Sequence, residues 1–238
     1  MNQGYGKHAS TRTILAVLTC AAALTACAGP AAPAGAGPSA APRPLSQPAL
    51  AARALSPGTQ AGPYRTGEYT VSGGPLSDAY GARPSACGPL VSLRAVRGGP
   101  VTQVHRRLTD PENLRGADVA VQLRSYDKGR AAAVLDDLRA AGKKCAGGFT
   151  ELRGDRSGTY TSVTAAAAPA GTGDEALAYR LGLRDGRNGS ASYEYLTVVR
   201  YGATLVSFRA ESLDDKDPGG VPKEIVDAQT ENLTGPGG

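Results

Sequence analysis

Tyr193-Glu194-Tyr195-Leu196-Thr197-Val198-Val199-Arg200-Tyr201-Gly202-Ala203-Thr204-Leu205-Val206-Ser207-Phe208-Arg209 reads as two strands that fold back on each other at Tyr201-Gly202. Both arms are rich in β-branched and aromatic residues, and the glycine between them suits a tight reversal. Immediately upstream, Ala176 to Leu183 places Leu177, Tyr179, Leu181 and Leu183 on one face, because strand side chains alternate. Asp185-Gly186-Arg187-Asn188-Gly189 is turn material between that run and Tyr193. Three strands joined by short turns form a meander, so the sheet is antiparallel here.

Working outward, Phe149 to Arg153 and Thr159 to Thr164 flank Gly154-Asp155-Arg156-Ser157-Gly158, which reads as a hairpin loop. Val101 to Leu108 and Ala117 to Tyr126 read as strands, the second through the alternation Val119, Val121, Leu123. Asp127 offers an N-cap for a helix from about Lys128 to Ala141, with Val134, Leu135, Leu138 and Ala141 as its apolar stripe and Gly142 at its end. Pro222 opens a last helix whose thin apolar face is Ile225, Val226, Ala228 and Leu233. Between Leu76 and Val96 the apolar residues are scattered and broken by Pro84 and Gly88-Pro89, so any helix there is short. The expectation is one α+β domain over residues 64–238, with a mainly antiparallel sheet, a central amphipathic helix and a C-terminal helix.

At the other end, Leu24-Thr25-Ala26-Cys27 resembles the lipobox of bacterial lipoproteins. Lys7 and Arg12 supply a positive n-region, and Ile14 to Ala26 is an apolar run too short for a bilayer of about 30 Å. The resemblance implies a signal peptide over residues 1–26, cleavage ahead of Cys27, and a diacylglyceryl anchor on that cysteine. The chain would then be held on the outer face of the cytoplasmic membrane, with the lipid as its membrane contact. The alternative is a secreted protein cleaved near Ala28 or later. Leu18-Thr19-Cys20 fits a lipobox poorly, and Cys20 leaves with the signal. From Ala28 to Pro63 the chain is Ala, Gly, Pro and Ser with only Arg43 and Arg53 charged, so residues 27–63 read as a lipidated cysteine followed by a disordered tether.

Removing Cys20 and acylating Cys27 leaves Cys87 and Cys145, so in an oxidising compartment a disulfide between them is the one intramolecular option. Free thiols or zinc ligation are the alternatives, and four-ligand spacing is absent. Loss of Lys7 and Arg12 takes Lys plus Arg from 26 to 24 against 21 acids, and the formal charge from +5 to +3. The basic residues are scattered among acids rather than gathered in a stripe with stacking aromatics, which argues against nucleic acid as a partner. The excess of Arg over Lys, with abundant Ala and Gly, points to a high-GC bacterium such as an actinobacterium.

Cys87, the strand and helix leading to Cys145, the Gly173-Asp174-Glu175-Ala176 step into a strand, and Val198-Val199-Arg200-Tyr201-Gly202-Ala203-Thr204-Leu205-Val206 together resemble actinobacterial sensor-domain lipoproteins. These are similar to the extracellular domain of PknH-type kinases. The resemblance covers about Leu76 to Leu233 and implies a one-domain α+β fold, an antiparallel sheet carrying helices, and a proposed ligand cleft without an established ligand or catalysis; no cofactor is expected. This chain departs from the kinase pattern in having one possible disulfide rather than two, no Trp, and no kinase domain.

A Ser-His-Asp or Cys-His site would have to use His105, since His8 leaves with the signal. No Gly-x-Ser-x-Gly, Ser-x-x-Lys or His-Glu-x-x-His is present. Asp136-Asp137 and Asp214-Asp215 are adjacent pairs that do not converge, and Asp174-Glu175 reads as a strand-entry loop. The expectation is a binding or sensor-like domain for an envelope ligand or protein, with an envelope hydrolase or a structural partner as alternatives. Tyr179, Tyr193, Tyr195 and Arg200 are the candidate ligand residues, with Arg180 and Tyr201 nearby. If Tyr193 and Tyr195 share a face, they can line a groove edged by an arginine.

Overall fold

A computed structural model describes residues 43–69, 80–93, 99–154, 156–184, 190–212 and 216–235. The signal segment, Cys27, the tether up to residue 42, the 185–189 turn, Asp214-Asp215 and parts of the stretch from Leu76 to Val96 lie outside the described residues. In chain order the elements are α1 (Gln47–Ala52), β1 (Gln60–Ala61), β2 (Tyr64–Glu68), β3 (Gly81–Arg83), a 3-10 turn (Ser85–Cys87), α2 (Pro89–Ser92), β4 (Thr102–Thr109) and β5 (Ala117–Ser125). They continue with α3 (Arg130–Lys144), β6 (Phe149–Arg153), β7 (Arg156–Ala165), β8 (Glu175–Arg184), β9 (Ala191–Tyr201), β10 (Thr204–Ser212) and α4 (Lys223–Thr234). The ten strands form one antiparallel sheet in the order β1-β2-β4-β5-β10-β9-β8-β7-β6-β3.

The meander is present as β8-β9-β10, and β10 then pairs with β5 from Thr204 opposite Ser125 to Ser212 opposite Ala117. Alternation along these strands divides the apolar residues between two cores. Val119, Val121, Leu123, Val206, Phe208 and Ala210 face Leu50 and Leu55 of the α1 region and Ile225, Val226 and Leu233 of α4. On the opposite face Leu181, Leu196, Val198 and Leu205 meet Val134, Leu135 and Leu138 of α3, with Leu90 and Val91 of α2. Cys87 and Cys145 are bonded within this second core, their Cα atoms 5.9 Å apart, which closes the alternatives of free thiols and zinc.

Several boundaries differ from the sequence reading. Residues 43–63, assigned there to the tether, are folded onto the sheet. Leu50 and Leu55 are buried and Leu45 partly so, and each leucine removed from water contributes about 1.5–3 kcal/mol, which outweighs the disorder-prone composition around it. Ser46 caps α1 through its hydroxyl, and buried Gln229 of α4 holds the exit by accepting from Leu55 N at 3.2 Å and donating to Arg53 O at 2.8 Å. The short strands β1 to β3 carry no clear alternation and were not expected.

Helix α3 starts at Arg130 with Gly129, not Asp127, at its N-cap, and it runs through Gly142 to Lys144. Gly142 is there for packing rather than termination, since a methyl at its Cα would come within 2.3 Å of the Tyr179 ring. The β6–β7 connection is tighter than expected, with Arg153 opposite Arg156, so Arg156 to Gly158 belong to a strand.

Candidate functional site

The strands that bury Val119, Val121, Leu123, Val206 and Phe208 on one face carry polar residues on the other. Asp118, Gln122 and Arg124 of β5, Ser207 and Arg209 of β10, and Glu194 of β9 all lie on that second face, and all are buried. Burying such groups costs several kcal/mol each unless partners replace water, so a row of them is more informative than any exposed charge.

The partners form two groups. In the first, Arg209 Nε donates to Glu194 Oε2 at 2.6 Å and Arg209 Nη2 to Tyr160 Oη at 3.0 Å. The Tyr160 hydroxyl lies 3.2 Å from Glu194 Oε2 and 3.4 Å from Glu151 Oε2, and Glu151 is in turn held by Arg153 Nε at 2.8 Å. Burial pushes the Tyr160 phenol well above its ordinary range and Arg209 pulls it back, so it stays protonated and donates. Burial pushes the Arg209 guanidinium down, but Glu194, Tyr160 and Glu151 more than offset this and hold it up.

Tyr160 stands on β7 and Arg209 on β10, with β8 and β9 between them. Three strand spacings are about 14 Å, so side chains that meet across that distance lean together over a concave face.

In the second group the hydrogen-bond pattern assigns the Gln122 carboxamide oxygen, rather than its nitrogen, to three donors, Arg124 Nε at 3.0 Å, Arg124 Nη2 at 3.1 Å and His105 Nε2 at 3.0 Å. This assigns the His105 proton to Nε2. Arg124 Nη1 also donates to Ser92 O at 2.7 Å, joining the network to the end of α2. Half-buried His105 sits beside Tyr69, ring centroids 6.3 Å apart, and Arg107 pairs with Asp118 at the margin. Tyr80 lies under the Arg153 guanidinium at 5.0 Å on the other margin. The face therefore opens through Tyr69, Gln103, His105 and Arg107, above an interior whose donors and acceptors are already oriented. Among the described residues no group of three metal-ligating side chains occurs.

Burial pushes the His105 imidazolium below its ordinary value of 6.5, and Arg124 and Arg106 push the same way. As the pH falls through about 6.5 the unfolded chain takes up this proton before the folded one does, so stability is lost on the acid side. His105→Gln keeps a donor toward Gln122 but cannot titrate. Urea unfolding across that window is expected to show a flatter acid-side fall for the variant than for the parent.

The four residues expected to bind ligand are not brought together. Tyr179 lies buried beneath α3 against Gly142. Arg200 is on the same face as Tyr179 but is held by Asp174 at 2.9 Å and by Glu175. Tyr193 and Tyr195 do share a face, the opposite one, where Arg180 stacks 3.6 Å above the Tyr193 ring and pairs with Asp217 at 2.6 Å. That cluster fastens the segment before α4 to the sheet. Tyr201 is also on this side, its hydroxyl 2.8 Å from Thr230 Oγ1 of α4. Of the carboxylate pairs, Asp136 is engaged by Arg139 at 2.6 Å, and Asp174 accepts the Gly202 N–H at 2.7 Å.

No protein-family model and no curated protein matches the sequence. Among solved structures, the chain is similar to the extracellular domain of PknH from Mycobacterium tuberculosis, with a TM-score of 0.51 at 10% identity over 80% of this chain and 96% of that one. An uncharacterized protein from Mycobacterium smegmatis, described as an Rv0999 ortholog, gives a TM-score of 0.35 at 14% identity over 74% of this chain and 87% of that one. The likeness to the PknH domain is one of fold: a single α+β domain on one antiparallel sheet.

Proposed function

We propose that this chain is a non-catalytic binding or sensor-like domain, anchored through lipid on Cys27 to the outer face of the cytoplasmic membrane, and that a polar envelope ligand or protein binds the polar face around His105. The observation that carries the reading is the set of buried polar side chains on one sheet face, held in two hydrogen-bonded groups around Arg124 and Arg209, the first of which reaches solvent at Tyr69, Gln103 and His105. A preorganised polar face of this kind loses little conformational entropy when it takes up a hydrogen-bonding ligand. The lipobox and the disulfide both fit an extracytoplasmic site. Among the described residues no helix is long and apolar enough to cross a membrane.

An envelope hydrolase would need two converging carboxylates in distinct protonation roles. Glu151 and Glu194 do converge on the Tyr160 hydroxyl, but each carries its own arginine and both are buried. That arrangement serves as a hydrogen-bonded brace, which speaks for binding rather than hydrolysis.

A thermal-shift screen of the mature chain against muropeptides, glycans and envelope lipids tests the site. A ligand at about one hundred times its dissociation constant adds roughly 2.7 kcal/mol. The shift is expected to vanish in His105→Ala and Tyr69→Ala and to persist in Tyr193→Ala. Loss with Tyr193→Ala alone would move the site to the opposite face. The anchor is tested separately by mass spectrometry of the mature N-terminal peptide, which is expected to begin at a diacylglyceryl-modified Cys27. An unmodified N-terminus at Ala28 or beyond would overturn it.

A further inference from the structure

The folded chain begins further upstream than its composition suggests, and this fixes where a tether from Cys27 must arrive. Leu45 N donates to Ser125 Oγ at 2.8 Å, and Thr102 Oγ1 donates to Leu45 O at 2.9 Å, so Arg43 emerges where β5 ends and β4 begins. The same pole gathers the β9–β10 turn, through Tyr126 N to Ala203 O at 2.9 Å, and the loop carrying Asp127 and Lys128. Fifteen residues, 28 to 42, separate Cys27 from Arg43. Fifteen residues span at most about 50 Å whatever their conformation, so the pole lies within reach of any surface that holds Cys27.

The chemistry of the pole suits an anionic surface. Arg43 and Lys128 are exposed and make no ion pair among the described residues. Arg53 sits at the C-terminal end of α4, donating to Leu233 O at 2.8 Å, and a hollow of about 180 Å³ lies between Arg43, Arg53, Thr204 and Thr234. Of the nearby acids, Asp174 is occupied by Arg200 and the Gly202 amide, while Asp127 and Glu231 are exposed. Val101, 53% exposed, is the large apolar side chain at this pole, while Leu114, 67% exposed, stands past the far end of β4.

We propose that the pole formed by Arg43, Arg53, Val101 and Lys128 docks on anionic phospholipid headgroups, with a headgroup phosphate received between Arg43 and Arg53. The inference rests on the extracytoplasmic, Cys27-tethered reading and adds an orientation to it: the domain stands with β4 and β5 rising from the membrane and Leu114 at its outer end. Anionic headgroups attract Lys and Arg only within a Debye length, about 8 Å, a distance the short tether lets the pole reach.

The chain has no native tryptophan, so a single one reports position. The mature chain is coupled through the Cys27 thiol, the one outside the disulfide, to a maleimide lipid in vesicles containing brominated phospholipid. This reproduces the tether whether or not cells acylate Cys27, so failure of the anchor and failure of the docking are read separately. Val101→Trp is expected to be quenched at least several-fold more on phosphatidylglycerol vesicles than on phosphatidylcholine ones, and the excess is expected to disappear in high salt and with Arg43→Glu plus Lys128→Glu. Leu114→Trp is expected to remain unquenched on both. Equal quenching of Val101→Trp on the two vesicles, survival of the excess in the charge-reversed pair, or preferential quenching of Leu114→Trp would overturn the proposal. Loss of the excess in millimolar inorganic phosphate at constant ionic strength would assign the hollow to free phosphate instead.

Discussion

Replacing Cys87 and Cys145 together by serine is expected to cost about 4 kcal/mol and to lower the melting temperature by on the order of 10 °C. The bond spans a sequence separation of 58 residues, and the chain-entropy model assigns that much to a loop of this length. Both sulfurs are buried, so the cut ends also leave polar hydroxyls inside a core of Leu90, Val91, Leu138 and Phe149. The loss should not be uniform. Cys87 belongs to the 3-10 turn before α2, and Cys145 caps the end of α3, so the bond fastens a short segment to the main helix. Hydrogen exchange of the reduced protein is expected to lose protection first over β3 and α2, while β5 and β10 keep theirs. Urea unfolding with and without reductant gives the size of the effect, and an unchanged midpoint would show that the core alone holds that segment.

The second large effect is expected at Glu194. Glu194→Leu withdraws the carboxylate from a guanidinium that is only 5% exposed, and leaving such a charge without its counter-ion typically costs about 3–5 kcal/mol. The double variant Glu194→Leu with Arg209→Met removes both charges and is expected to be more stable than Glu194→Leu alone, because the penalty comes from a buried cation that has lost its hydrogen-bonded carboxylate rather than from the volume change. A double-mutant cycle in urea measures this directly. Glu194→Gln, which keeps the shape and an acceptor for Arg209, should fall between the parent and Glu194→Leu.

Much of the fold was legible where one face of an element is apolar and the other is not. Val119, Val121 and Leu123 announce β5, Val134, Leu135 and Leu138 announce α3, and Ile225, Val226 and Leu233 announce α4, all of them buried. Elements without alternation were not legible. Leu45, Leu50 and Leu55 are spaced too widely for a helical or strand period, and they acquire a role only because the sheet face beneath them is already built. Gly142 looked like a stop because nothing local reveals the Tyr179 ring that requires it.

The polar face was missed for a related reason. Asp118, Gln122 and Arg124 alternate with valines and leucine, which is the signature of a solvent-facing side. Their partners Arg107, His105 and Ser92 come from elsewhere in the sequence, as do Glu194 and Tyr160, the partners of Arg209. Only the curl of the sheet and the segments beside it make that face an interior. Alternation did bring Tyr193 and Tyr195 to a common side, with Arg180 stacked on Tyr193, whereas the pairing of Arg180 with Asp217 depends on a loop contact at long range.

The sheet ends in β1 at one edge and β3 at the other, strands of two and three residues, while the central strands run to nine or more. Beyond β1, the backbone of Thr66 is further occupied by Thr59 and Gly58. For proteins held on a common surface this matters, because anchoring in two dimensions raises the local concentration of neighbours whose strands run the same way up. A long bare edge would let such neighbours zip together into a ribbon along the membrane. Rims this short offer too few free peptide groups to start one, so under the proposed anchoring crowding would be met by the shape of the sheet itself.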